Sequence, residues 1–157
     1  MKPNNQGKQV EKLFQETLEA AFKKRIFIHR FQDTGDATAK TNGRASRTGR
    51  RKTVVFVDAQ PADFLITLKD TAYVEVKDCN NATSFPFSNI TKSQMIAAKR
   101  QVAAKGKYFF VIHHKGTWYC VPAEVILGTT TRKSLPWKDL KPYQLKKLVD
   151  IRRYING

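Results

Sequence analysis

Between residues 7 and 24 the apolar positions recur at helical spacing. Val10, Leu13, Phe14, Leu18, Ala21 and Phe22 fit a 3.6-residue period and form one broad arc when stepped by about 100° per residue. Glu16 and Glu19 fall outside that arc, whereas Glu11 falls inside it, near Leu18 and Phe22. A carboxylate on a buried helix face needs a partner or water. Glu11 is therefore either an edge residue that reaches solvent or an acid kept for a task.

Residues 25–31 alternate loosely and predict a strand. From 32 to 52 the chain has almost no apolar side chain and is dominated by Gly, Thr, Ala, Asn and Ser. Strand-like runs follow at 54–57, 63–68 and 72–77, with Lys69, Asp70 and Thr71 turning the last two into a hairpin. Residues 78–90 read as irregular around Pro86, and 91–105 as a helix that stops at Gly106. The runs 108–113 and 117–121 predict a second hairpin, with Gly116 in its turn. A further helix is expected from Pro136 onward, with Leu145, Leu148, Val149 and Ile155 as its apolar side. This order of helix, strands, helix, strands and helix predicts a small α/β domain with a mixed sheet. The 157 residues are one domain's worth, with a flexible loop at 32–53 and no internal repeat.

Charge narrows the choice of partner. The chain carries 29 Lys and Arg against 13 Asp and Glu, a formal net charge of +16. A polyanion is the expected partner, nucleic acid first and an anionic membrane surface second. No apolar run reaches the roughly 18 residues of a membrane span, and the polar amino-terminal stretch is no secretory signal. Cys79 and Cys120 form neither a disulfide framework nor a CxxC pair, so a reducing, cytoplasmic setting is expected. Lys40, Arg44, Arg47, Arg50, Arg51 and Lys52 follow one another with no acid among them. That stretch is either a solvated linker or an arm that orders on phosphate contact.

Two carboxylates stand apart from the surface charge. Asp63 follows Pro61-Ala62 and opens an apolar strand, and Glu75 sits within Tyr73-Val74-Glu75-Val76-Lys77. Strand residues two apart share a face, so Glu75 and Lys77 project together while Val74 and Val76 face the other way. Hairpin pairing then brings Asp63 to the Glu75 end of its partner strand. Such hard oxygen ligands suit Mg²⁺, with Mn²⁺ as a substitute and the Val76 carbonyl as a further ligand. The ion polarises a phosphodiester and acidifies a bound water, and a neighbouring lysine steers that water or steadies developing charge. The plain alternative is a Glu–Lys ion pair on an exposed strand.

The set Pro61-Ala62-Asp63 and Glu75-Val76-Lys77 resembles the PD-(D/E)XK nuclease core of many restriction enzymes and resolvases. The stretch beyond it, with Ser84-Phe85-Pro86, Asn89-Ile90 and Gln94 opening the next helix, resembles the RecU family of Holliday junction resolvases. Archaeal-type resolvases share the same core. The resemblance spans roughly residues 60–135, and Glu11 matches the acid often found in the first helix of the superfamily. The family's long stalk is not evident, and Thr91 stands where the family often has histidine. What the resemblance implies is a restriction-endonuclease-like mixed sheet flanked by helices, acting as a Mg²⁺-dependent nuclease on four-way junctions. A homodimer is implied too, since two opposed nicks need two active sites. A compact phage enzyme fits this pattern.

On this reading Asp63, Glu75, Lys77 and Gln94 are catalytic. Glu11, Asp63, Glu75 and the Val76 carbonyl hold metal. Lys92 joins the 40–52 cations in binding DNA. Gln94 keeps a second reading as the return half of a Thr91–Gln94 capping box. His113 and His114 are adjacent and point to opposite faces of a strand, so they make no zinc site. Trp118 and Tyr119 are core residues or base-stacking ones. Two rival functions remain: another PD-(D/E)XK nuclease acting on duplex or damaged DNA, and a non-catalytic basic binding module.

Overall fold

The computed structural model describes residues 5–31, 60–129 and 131–157. The expected strand at 54–57 and the cations from Lys40 to Lys52 lie outside the described residues. The first helix, α1, runs Gln6–Phe22 and buries Phe14, Leu18 and Phe22, three members of the predicted arc. Leu13, at the rim of the arc, stays half exposed.

Among the described residues six strands form the main sheet: β1 (Phe27–Arg30), β2 (Phe64–Thr67), β3 (Thr71–Asp78), β5 (Lys107–His114), β6 (Thr117–Pro122) and β8 (Gln144–Leu145), in the order β1-β2-β3-β5-β6-β8. Every neighbouring pair is antiparallel except β3 and β5, so the sheet is mixed. A parallel pair needs a crossover. Here it passes through β4 (Ser84–Pro86), a 3-10 turn at Phe87–Asn89 and helix α2 (Lys92–Ala103). The segment expected to be irregular thus contains a short strand, which pairs with β7 (Ser134–Pro136) in a separate two-stranded ribbon.

Alternation along the strands divides the core. Phe64, Ile66, Val74, Val76, Val111 and Cys120 face α1 and the carboxy-terminal segment. Tyr108, Phe110, Ile112 and Val121 face the side of α2 and of the short helix α3 (Ala123–Leu127). Tyr119 belongs to this second cluster and Trp118 packs against the first, near Phe14, so both take the core reading.

Two local details depart from expectation, and the second hairpin turns as expected. Helix α2 ends in a Schellman motif, in which Gly106 N–H reaches the Gln101 carbonyl and Lys105 N–H the Val102 carbonyl. The left-handed residue is Lys105 at φ 60°, not Gly106. The second hairpin turns on Lys115 and Gly116, both at positive φ (47° and 82°), as a two-residue turn of the right twist requires. The helix expected from Pro136 is broken into α4 (Trp137–Leu140), a 3-10 turn containing Pro142, β8, a second 3-10 turn (Leu148–Ile151) and α5 (Arg152–Asn156). Pro142 offers no N–H to continue a helix, and Leu145 is drawn into pairing with Trp118. Among the described residues no helix is long and apolar enough to cross a membrane.

Candidate active site

The site lies where β2 begins, β3 nears its end and α2 starts. In the β2–β3 register Phe64 faces Val74, which places Asp63 across from Glu75. The strap leading into β2 is fixed at three points. Tyr108 Oη donates to the Pro61 carbonyl at 2.8 Å, Phe31 N–H to the Asp63 carbonyl at 2.9 Å, and Val76 N–H to Asp63 Oδ2 at 2.7 Å.

Glu75 is the sole buried charged residue among those described, at 1% exposure. Its Oε1 takes the Lys77 ammonium at 2.7 Å and a hydrogen bond from Gln94 Nε2. Its Oε2 is buried and has no hydrogen-bond partner among the described residues. The Glu–Lys ion pair allowed by the sequence does form, but inside the protein, with one oxygen left over. Burial raises the Glu75 carboxyl above its ordinary range, against the opposing pull of Lys77. Asp63 is pushed up to about 8, first by burial and then by the Glu75 charge, although the Val76 N–H works against it. The Tyr108 phenol is also raised by burial and by these two carboxylates, which places it beside them.

One amide joins three parts of the site. Gln94 Oε1 accepts from Thr91 N–H at 2.9 Å and from Lys77 Nζ at 3.1 Å, while its Nε2 reaches Glu75. The capping box is complete, since Gln94 N–H also bonds the Thr91 hydroxyl at 3.3 Å. Both readings of Gln94 therefore hold in one conformation. Lys92 is exposed in the same first turn.

Glu11 approaches from α1 on the other face of the sheet. Arg30, at the end of β1, holds its Oε2 at 2.6 Å, and its charge still contributes to the raised values of Asp63 and Glu75. Among the described residues no three His, Cys, Asp or Glu side chains stand within reach of one ion. Two carboxylates and a carbonyl are the donors at hand, a set suited to a hard divalent cation that keeps several waters. The unpartnered Glu75 oxygen beside a carboxylate held protonated by its surroundings fits such a cation, which would satisfy the one and displace the proton of the other.

Sequence reasoning missed Tyr108 and Arg30. Tyr108 lies in an apolar strand run and reads as core; only the contact with Pro61, 47 positions away, reveals its role. The histidines do diverge as expected: His113 pairs with Asp78 at 2.8 Å, and His114 stacks on Trp137.

A mixed sheet flanked by helices, with P-x-D at the mouth of one strand and E-x-K buried in the next, defines a nuclease of the PD-(D/E)XK class. The chain belongs to the RecU family: the family's model, described as Recombination protein U, matches residues 5–156. Among solved structures the fold is similar to that of Hjc, a Holliday junction resolvase from the archaeal hyperthermophile Archaeoglobus fulgidus, with a TM-score of 0.54 at 11% identity. The match covers 92% of this chain and 98% of that one. No curated protein sequence matches the chain.

Proposed function

We propose that this chain is a Mg²⁺-dependent endodeoxyribonuclease that resolves four-way DNA junctions by paired, symmetric nicks, working as one nuclease domain within a homodimer. The observation that carries the reading is Glu75, buried across from Asp63 with Oε1 held by Lys77 and Gln94 and Oε2 unpartnered. Membership of the RecU family and a fold shared with a junction resolvase support it.

Asp63, Glu75 and the Val76 carbonyl would hold the cation, with Glu11 acting at one remove through water. When bound, Mg²⁺ polarises the phosphodiester and lowers the pKa of a coordinated water. Lys77 orients that water and stabilises the charge that develops on phosphate. Gln94 holds Lys77 and Glu75 at fixed distance. Tyr108 and Phe31 pin the strap, so Asp63 does not drift when its proton leaves. Lys92 and the cations Lys40, Arg44, Arg47, Arg50, Arg51 and Lys52 grip backbone. The two-fold symmetry of the junction calls for two opposed sites, hence the dimer.

The test is cleavage of a synthetic four-way junction by purified protein with Mg²⁺, alongside linear duplex of the same sequence. Symmetric nicks in the junction and little cutting of duplex are expected. Equal cutting of both points to an ordinary duplex nuclease, and binding without cutting in any divalent metal to a non-catalytic module.

A further inference from the structure

A groove of about 540 Å³ opens beside the metal site, lined by Pro61, Tyr73, Ser93, Ile96, Arg100 and Gln101 among others. Pro61 lies two residues before Asp63, Tyr73 lies two before Glu75 on the same strand face, and Tyr108, which also lines the groove, feels both carboxylates, so the groove borders the site. Its volume falls in the range of sites that hold a small planar ligand. Tyr73 contributes an aromatic wall, itself backed by Phe31 in a stacked arrangement at 6.2 Å. Ile96, 43% exposed, adds an apolar one. Arg100 brings a cation.

Gly106 makes the groove more than a crevice. A Cβ at this position would come within 2.0 Å of Gln101 Nε2 and 2.6 Å of its Cδ. Lys105, not Gly106, takes the left-handed conformation that ends α2. The backbone therefore does not demand glycine at 106. Its bare Cα leaves room for the Gln101 amide to lie where it does.

We propose that this groove is a base-reading subsite, which takes a purine next to the scissile phosphate after it leaves the stack at the branch point. The inference rests on the resolvase reading above and deepens it to cut-site preference. The Gln101 amide offers a donor and an acceptor side by side, the pattern that pairs with the adenine edge, and Arg100 offers the pattern that pairs with the guanine edge. Tyr73 supplies a face on which an unpaired base stacks. A base at a branch point has lost a stacking neighbour, so extruding it costs less than from continuous duplex.

The experiment uses the full chain and two readouts. In metal-free buffer, four-way junctions carry 8-vinyladenine, a fluorescent adenine that keeps the 6-amino group and N7, at either position flanking the nicked bond. Binding of the unmodified protein raises the fluorescence at one of the two, and Gly106→Ala and Gln101→Leu abolish the rise while still binding. With Mg²⁺, purine is favoured over pyrimidine at that position by about 10-fold, the scale of one bidentate base contact, and both variants level the preference. The clash in Gly106→Ala falls on the tip of a flexible side chain, and Gln101→Leu leaves Gly106 untouched, so the two variants test the groove by independent routes. Unchanged fluorescence at both positions, or variants that keep the preference, would overturn the subsite. A protein that binds junctions and unstacks the base but never cuts would instead overturn the nuclease reading.

Discussion

A carboxylate at 1% exposure with one oxygen unpartnered is costly in the apoprotein, and Glu75 is in that position. On the function proposed above, a bound cation would offset that cost. Glu75→Gln, or Asp63→Asn, keeps the shape but removes a charge that the proposal assigns to metal binding. Cleavage of a four-way junction should be lost in either variant, while junction affinity in a gel-shift assay stays equal or tightens; near-normal cutting would refute the assignment. Asp63 also makes a prediction about pH. Its folded value of about 8 lies above the 3.8 usual for the unfolded chain. Between those values the folded state holds a proton that the unfolded state has released, so the contribution of Asp63 to stability is full below about pH 4 and is lost as pH rises through about 8. Melting curves in chelator should show Tm dropping between about pH 5 and pH 8, with a shallower drop in Asp63→Asn. Added divalent metal should reduce the drop, since it takes the proton's place.

Helix α2 begins at Thr91, whose hydroxyl caps it and whose N–H is held by Gln94. Thr91→Ala removes an N-cap worth about 1 kcal/mol. It keeps the backbone N–H that Gln94 Oε1 accepts, so the amide that spans Lys77 and Glu75 stays held. Denaturant titration should show a loss of that size that Thr91→Ser restores, while cleavage per folded molecule should stay near normal; a large drop in cleavage would show that the hydroxyl cap itself positions Gln94. Much at this scale was legible in the sequence: α1 through its 3.6 period, the β2–β3 hairpin through its turn residues, and the Glu75–Lys77 face through strand alternation. These are local patterns. The carboxy-terminal segment was not legible. The spacing of Leu145, Leu148, Val149 and Ile155 mimics one helical face, yet Leu145 pairs with Trp118 and Ile155 is anchored through its carbonyl by Lys107. Such distant partners outweigh local preference. Asn156, whose side chain accepts from Lys69 and Asp70 N–H, ties the same segment to the β2–β3 turn.

Over the whole molecule the excess of +16 charges sets how tightly DNA is held and how salt weakens it. Neutralising Arg44, Arg47, Arg50, Arg51 and Lys52 together should weaken junction binding. The slope of log K against log salt should flatten by about 0.9 for each duplex phosphate contact removed. Binding curves at three salt concentrations decide this, and equal slopes would show the stretch to be a linker only. Cleavage at saturating protein should partly survive, because Asp63, Glu75 and Lys77 stand on other elements. The parallel pairing of β3 with β5 has its own effect on when the enzyme becomes active. Because β3 and β5 run the same way, the chain must travel the length of the sheet between them, and that journey brings Gln94 to Glu75 and Tyr108 to Pro61. Contacts closed over such separations form late and slowly in folding. A half-made chain, or one that has lost its tertiary packing, has the acids and the lysine but no site, so the ability to cut DNA arrives only with the finished fold.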